Sequence, residues 1–222
     1  MIPDTKIARE KAKIYKECSC QNGSCLQCQK KTARIDRYAK SEIPVSYWNS
    51  SFKEFSGDQN FAEIFRDKIK DINSYYDNGK SLILVGSLGV GKTYSICCLL
   101  KLAIVNDYST LYTTMADIVN RVIRDGGGEY LQSLLEVDFL AIDELDPRWI
   151  FPSEKSEQLF GSTMEHLLRS RFQNGLPTIM CSNADDVDKI FAGNFGKTFK
   201  SLRSQHIEIL YVSGKDHRRK AC

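Results

Sequence analysis

Eight residues, Gly86-Ser87-Leu88-Gly89-Val90-Gly91-Lys92-Thr93, restrict this chain more than any other feature. They satisfy the phosphate-binding pattern G-x-x-x-x-G-K-(S/T), which carries meaning only between a strand and a helix. That context is present. The apolar run Ser81-Leu82-Ile83-Leu84-Val85 precedes the loop, and Tyr94 to Val105 is an apolar stretch compatible with a helix. Glycines let successive backbone N–H groups turn inward around a polyphosphate. The helix then begins at the anion, and its dipole favours the negative charge. In such a loop Lys92 reaches the β- and γ-phosphates, and the Thr93 hydroxyl takes a Mg²⁺ position. Gly86 through Tyr94 is therefore the expected ATP-binding stretch.

The rest of the chain fits one α/β domain with a small appendage. It has 222 residues, 42% hydrophobic and 27% charged, which is ordinary for a soluble globular protein. No apolar run approaches the ~20 residues of a membrane span. Met1-Ile2-Pro3-Asp4-Thr5-Lys6 lacks a signal-peptide core, so a cytoplasmic protein without membrane contact is expected. A net charge of +3 does not by itself imply nucleic acid. The clusters at Lys11 to Lys16, Lys30-Lys31 and Arg218-Arg219-Lys220 read equally as solvated ends or as phosphate contacts.

Four of the eight cysteines lie within eleven positions, as Cys18-x-Cys20-x4-Cys25-x2-Cys28. In a cytosolic chain this density reads as metal rather than disulfide. Four thiolates suit tetrahedral, structural Zn²⁺, with Asn22-Gly23 supplying a turn between the pairs. Lys16, Lys30 and Lys31 would offset the excess negative charge. The other readings are four free thiols and an iron–sulfur cluster, against which the compact spacing counts because it matches no ferredoxin pattern.

Read in order, residues 1–17 and 29–41 have helical character around the cysteine cluster, and Pro44 then breaks the chain. Phe52 and Phe55 lie in a segment expected to pack on the α/β domain. Apolar positions from Phe61 to Tyr76 recur at helical spacing and predict one helix, closed by Asn78-Gly79. Strands are predicted at 81–85, 109–114, 137–143, 176–183 and 208–212. Helices are predicted at 94–105, 115–124, 130–135 and 158–172. The alternation argues a parallel sheet covered on both faces. The expected organisation is a small zinc-binding segment over 1–41 and an ATPase domain over 42–222.

Asp143-Glu144 ends the third predicted strand. Asp143 there would orient Mg²⁺ or its water ligands, and Glu144 would polarise the attacking water. The other reading is a cap for the next helix. Asn183 ends the fourth strand, where a carboxamide can bond the γ-phosphate and the water; it equally suits a turn before Ala184-Asp185-Asp186. Arg203 reads as an arginine finger reaching a neighbouring subunit's phosphate, or as an ordinary surface arginine.

Together these residues resemble the AAA+ ATPases of the DnaC/DnaI helicase-loader type, which include the IstB transposition ATPases. The resemblance runs from about Ile43 to Ala221. It rests on Ile43-Pro44 with Ser51-Phe52-Lys53-Glu54-Phe55, on the phosphate loop, and on Phe139 to Glu144. Arg171-Phe172 with Leu176-Pro177-Thr178-Ile179 and Ser182-Asn183 also carries it, as does Gly214-Lys215-Asp216-His217-Arg218. The resemblance implies an ATP-dependent, self-associating switch that delivers a replicative DNA helicase onto single-stranded DNA. It also implies that a small N-terminal domain grips the helicase, with zinc in the DnaI branch. Asn183 then becomes the first phosphate sensor, Arg203 the finger and Arg218 a second sensor. The family usually has two Asp residues and then a Gly after the third strand, where this chain has Asp143-Glu144 and Asp146-Pro147. The insertion Asp146 to Ser153 reads as an interface contact or a substrate loop. The finger register is open by a few positions, and few residues follow the fifth strand, so a full helical lid domain is not expected. An IstB-like transposition ATPase is the alternative. A small nucleotide kinase shares the loop and the length, but has no need of Asp143-Glu144 followed by a strand ending in Asn. A module that holds ATP and barely turns it over is the remaining reading.

Overall fold

The side chains of β1 (Ser81–Val85) divide between two cores, and that division organises the molecule. In the computed structural model, which describes residues 2–20, 23–126, 128–145, 154–184, 187, 190 and 193–216, Leu82 and Leu84 enter one apolar cluster while Ile83 and Val85 enter another. A strand buried on both faces belongs in a parallel sheet covered by helices. Five strands pair in parallel in the order β2-β3-β4-β1-β5. The others are β2 (Thr110–Thr114), β3 (Phe139–Leu145), β4 (Thr178–Ser182) and β5 (Ile207–Tyr211).

The same alternation sorts the neighbouring strands. Phe139 and Ala141 of β3, Tyr112 of β2 and Ile179 and Cys181 of β4 join Leu82 and Leu84. Against them pack α5 (Lys92–Val105), α3 (Gln59–Ile69), α4 (Ile72–Asp77) and Ile35 of α2 (Leu26–Lys40). Leu111, Leu140, Ile142 and Met180 face the other way. They meet α6 (Met115–Asp125), α7 (Gly128–Glu136), α8 (Glu154–Gln173) and α9 (Gly193–His206).

The predicted helix across 61–76 is two helices. Asp71 takes an extended conformation, and its side chain accepts a hydrogen bond from the Ser74 N–H at 3.1 Å, which starts α4 afresh. An N-cap of this kind outcompetes continuation of an apolar stripe. Helix α9 has no counterpart in the sequence reading. Phe195, Phe199 and Leu202 are its apolar face, set among glycines, lysines and serines that blur the pattern. The insertion at 146–153 lies outside the described residues.

Ahead of the sheet, α1 (Asp4–Glu17) and α2 form a helical hairpin, tied by a Lys11–Asp36 ion pair at 2.6 Å. Helix α2 ends before Pro44: Ser41 caps it and Glu42 turns into the left-handed region at φ 55°. The Ser41 carbonyl accepts from the Tyr112 N–H at 2.8 Å, and the Thr110 hydroxyl donates to Ser41 Oγ at 2.7 Å. The end of α2 is thereby bonded to the outer edge of β2.

Arg171, on α8, is fully buried. Its guanidinium donates to Thr178 Oγ1 and to the carbonyls of Leu134, Val137, Asp138 and Pro177 at 2.8–3.2 Å. It fastens the end of α7 and the starts of β3 and β4 to one point. Burial pulls its pKa down to about 10, still high enough to keep it charged. Arg171→Met removes the guanidinium donors from the Leu134, Val137 and Asp138 carbonyls, while Pro177 keeps the Leu140 N–H at 3.2 Å. We expect a loss of at least ~3 kcal/mol of unfolding free energy, read as a lower urea midpoint, with Lys failing to restore the fork.

Candidate nucleotide site and cysteine cluster

The loop after β1 closes onto the start of α5. Gly91 is the N-cap, with φ 103°, and a Cβ there would stand 2.6 Å from Phe55 Cε2. Gly89, with φ 78°, has the carboxylate of Asp216 packed where its Cβ would be. Both positions need glycine for conformation and for space. Val90 between them is fully buried, and Leu88 projects outward, 55% exposed.

Lys92 begins the helix, and its side chain is buried. Its ammonium donates to the carbonyls of Gly86 and Ser87, both at 2.8 Å, and to Asn183 Oδ1 at 2.7 Å. The loop is thereby drawn together and tied to the end of β4. With Oδ1 of Asn183 engaged, its Nδ2 donors are the end available to a phosphate oxygen or a water.

Asp143 shares strand parity with Phe139 and Ala141, so it lies on the α5 face of the sheet. It is 4% exposed. Its Oδ2 accepts from the Tyr112 hydroxyl at 2.9 Å and its Oδ1 from the Glu144 N–H at 2.8 Å. Burial, and then the charge of Asp143, raises the Tyr112 phenol well above its ordinary range. The β3–β4 register shifts between Ile142 and Leu145, and Glu144 takes φ 58°. This bulge turns Glu144 out of the alternation, and its side chain is exposed.

One cavity of about 230 Å³ collects Lys92, Thr93, Tyr94, Asp143, Glu144 and Asn183 beside Leu88, Gly89 and Gly91. Gly86, Ser87 and Val90 are not among the residues lining it. Arg203 lies on α9 and is not among the residues lining this cavity. Arg218 lies outside the described residues.

The opposite wall, Tyr47, Glu54, Phe55, Ser56 and Gly57, was not assigned to the site from sequence. These residues belong to a strap of two 3₁₀ turns, 45–47 and 52–54, crossing the start of α5. Tyr94 grips it with one oxygen, donating to the Ser51 carbonyl at 2.6 Å and accepting from the Ser51 N–H at 3.0 Å. Lys101, buried two turns further on, donates to the carbonyls of Tyr47 at 2.8 Å, Trp48 at 3.1 Å and Ser50. Phe55 stacks on Phe52 with centroids 5.2 Å apart and leans on Tyr94. A lysine inside the run Cys97-Cys98-Leu99-Leu100-Lys101-Leu102-Ala103 was the available signal. A lone charge in an otherwise apolar helix needs buried partners.

The cysteine cluster lies at the tip of the α1–α2 hairpin. Cys18 caps the end of α1, and Cys25 is the N-cap of α2, its sulfur accepting from the Cys28 N–H at 3.4 Å. The four sulfurs lie within 4.8 Å of one another, with Cys18–Cys25 and Cys20–Cys28 each at 3.5 Å. Four sulfurs on a tetrahedral Zn²⁺ with Zn–S near 2.3 Å stand about 3.8 Å apart, so the set fits zinc with small adjustments. Gly23 takes φ 77° in the intervening turn; Asn22 lies outside the described residues. The backbone N–H of Cys25 leads in lowering the Cys20 thiol, while burial raises that of Cys28. Purified without chelators, the protein should carry about one zinc per chain by elemental analysis. Cys18→Ser with Cys28→Ser should remove it.

A phosphate loop leaving β1, an acidic pair on β3 and Asn183 after β4, on a parallel sheet of this strand order, define a P-loop protein of the AAA+ class. A family model described as IstB-like ATP binding protein matches residues 24–183. The chain belongs to that family. No curated protein matches it. Among solved structures it is similar to DnaI, with a TM-score of 0.65, 19% identity, and 79% of this chain and 94% of that one covered. It is also similar to the DnaC helicase loader, with a TM-score of 0.63, 20% identity, and 77% and 100% covered. A putative primosome component from Streptococcus pyogenes serotype M3 gives 0.63, 20%, and 82% and 98%. At these identities the likeness is one of fold.

Proposed function

We propose that this protein is an ATPase that loads a replicative DNA helicase onto single-stranded DNA. The observation carrying the ATPase reading is the convergence of Lys92, Thr93, Asp143, Glu144 and Asn183 on one cavity at the carboxyl ends of β1, β3 and β4. Ligands of open α/β sheets bind in that position. The loader reading is supported by the likeness of fold to DnaI and the DnaC helicase loader across nearly their whole lengths.

In this reading the loop amides and the N-terminus of α5 receive the phosphates of ATP, and Lys92 exchanges its loop carbonyls for phosphate oxygens. Thr93 and Asp143 are hard oxygen donors suited to Mg²⁺, which neutralises phosphate charge when bound. Glu144, thrown toward the cavity by the bulge, accepts a proton from the attacking water. Asn183 donates through Nδ2 to the γ-phosphate or that water. The strap carrying Phe55 provides the apolar wall for the base. Arg203 is assigned to a subunit interface, where α9 presents it to a neighbouring copy's nucleotide.

The test is direct. Lys92→Ala should weaken ATP binding by at least ~100-fold, because the loop loses its counter-charge. Glu144→Gln should bind ATP normally and hydrolyse it at least ~100-fold more slowly. Normal turnover by Glu144→Gln would remove the assigned base.

The zinc-bearing hairpin is assigned to docking on the helicase in the cytoplasm, and ATP binding to self-association and contact with single-stranded DNA. Removing residues 1–40 would strip Ile35 and Tyr38 from the core, so the informative variant keeps the full chain. Cys18→Ser with Cys28→Ser should lose helicase capture while retaining ATP binding. Undiminished capture would reject the docking role. The IstB-like family match favours the second reading, a transposition ATPase, and absence of helicase capture by the wild-type protein would move the assignment there.

A further inference from the structure

Asp143 is bonded from below by a residue to which the ATPase reading gives no function. We propose that Tyr112 is a positioning residue for Mg²⁺–nucleotide binding, its hydroxyl fixing the carboxylate of Asp143 in the orientation that the metal's ligand shell requires. This rests on the ATPase reading of Asp143.

The geometry is specific. Tyr112 pairs with Ala141 across the β2–β3 ladder, and Thr114 pairs with Asp143. Tyr112 and Asp143 therefore lie on one sheet face, two residues apart in register, a diagonal that the length of a tyrosine spans. The ring is buried in the core beneath α5, 8% exposed, and its hydroxyl ends 2.9 Å from Oδ2. The Glu144 N–H holds Oδ1. A carboxylate held on both oxygens cannot swing about its terminal torsion, which is otherwise broad. Each oxygen keeps a second lone pair, and those remain for a metal-bound water. Phenylalanine would fill the same volume, so packing requires the ring and not the oxygen. A hydroxyl deep in an apolar core is costly unless it is bonded, and here its bond is to Asp143. The backbone of the same residue is bonded to Ser41, which pins the strand from its outer edge.

The measurement is calorimetric binding of a non-hydrolysable ATP analogue at stepped Mg²⁺ concentrations, so that turnover does not enter. Tyr112→Phe should raise the Mg²⁺ concentration giving half-maximal enhancement of binding about tenfold, the scale of one hydrogen bond to a charged group. Affinity in divalent-free buffer should stay within about twofold. In an Asp143→Ala background Tyr112→Phe should have no further effect on the Mg²⁺ dependence, because the two act as one unit. A thermal melt establishes that each variant is folded. Should Tyr112→Phe not fold, 3-fluorotyrosine at 112 keeps ring and hydroxyl, strengthens the donor, and should lower the Mg²⁺ requirement; an unchanged requirement rejects the proposal. An unchanged Mg²⁺ dependence in folded Tyr112→Phe, or a shift that persists without Asp143, overturns the inference. If Asp143→Ala alone leaves the Mg²⁺ dependence unaltered, the assignment of Asp143 falls, and this inference falls with it.

Discussion

Helix α5 is apolar nearly all round, and everything at the site is built on its burial. A helix of that kind has no solvent face to offer and must be enclosed. Ile96, Cys97, Leu99, Leu100 and Ala103 are each fully buried. The sheet encloses it on one side, and α2, α3 and the strap on the other. Its N-terminus is consequently fixed beside β1, β3 and β4, where the aligned dipole and the loop amides face the anion site. The two lysines on it divide the work. Lys92 gathers the loop and the end of β4, and Lys101 gathers the strap. Both are buried cations, Lys92 satisfied by its own loop and by Asn183, and Lys101 by the strap about fifty residues earlier, which is how one helix holds both walls of the cavity at a set separation.

The N-terminal hairpin is joined to the same framework. Ile35 and Tyr38 of α2 pack into the core that contains α5, and Arg37 meets Asp107 just beyond its end at 2.9 Å. Exposed pairs of this sort contribute little, so the apolar contact and the Ser41 bonds to β2 fasten the hairpin. The cysteines are at the other end, where the hairpin's own apolar contacts are few. About forty residues bury too little surface to fix a fold unaided, and a structural metal is a common remedy. The hairpin is thus held to the α/β core by packing at one end and suited to a metal staple at the other.

One physical distinction separates the features legible in the sequence from those that were not. Glycines at left-handed positions, a lysine at a helix start, acidic residues ending an apolar strand and clustered thiols are chemistry that composition does not produce by accident, and each was legible. The alternation of strands with helices along the chain likewise announced a sheet covered on two faces. Partnerships across the chain were not legible. Lys101 and the strap carbonyls are about fifty residues apart, Arg171 and the end of α7 nearly forty, and Tyr112 and Asp143 thirty-one. Arg171 was noticed only as part of a resembling segment, and its place in the fold shows a structural role, since its donors are spent on backbone carbonyls. Helix α9 was missed because three apolar residues among Gly, Lys and Ser make a weak stripe, although they suffice once α8 supplies the other half of the contact.

The bulge at the end of β3 is where the strand's two duties conflict. Strict alternation would send Glu144 to the face that receives Ile142, into the core beneath α8, where a carboxylate is not tolerated. It would also leave no residue beyond Asp143 facing the cavity. The chain resolves this by spending one residue off the ladder. Glu144 adopts φ 58°, a conformation costing about 1–3 kcal/mol for a side chain other than glycine. Its side chain turns into the cavity, and its N–H turns back to Oδ1 of Asp143. Leu145 then rejoins the ladder opposite Ser182, fully buried, with its carbonyl accepting from the Ser182 hydroxyl at 2.7 Å. Anchored before the bulge by Ile142 and after it by Leu145, the strained residue has no room to relax. The two acidic side chains are therefore delivered to one cavity from consecutive positions, one fixed by hydrogen bonds in the floor and the other presented from the turn above it.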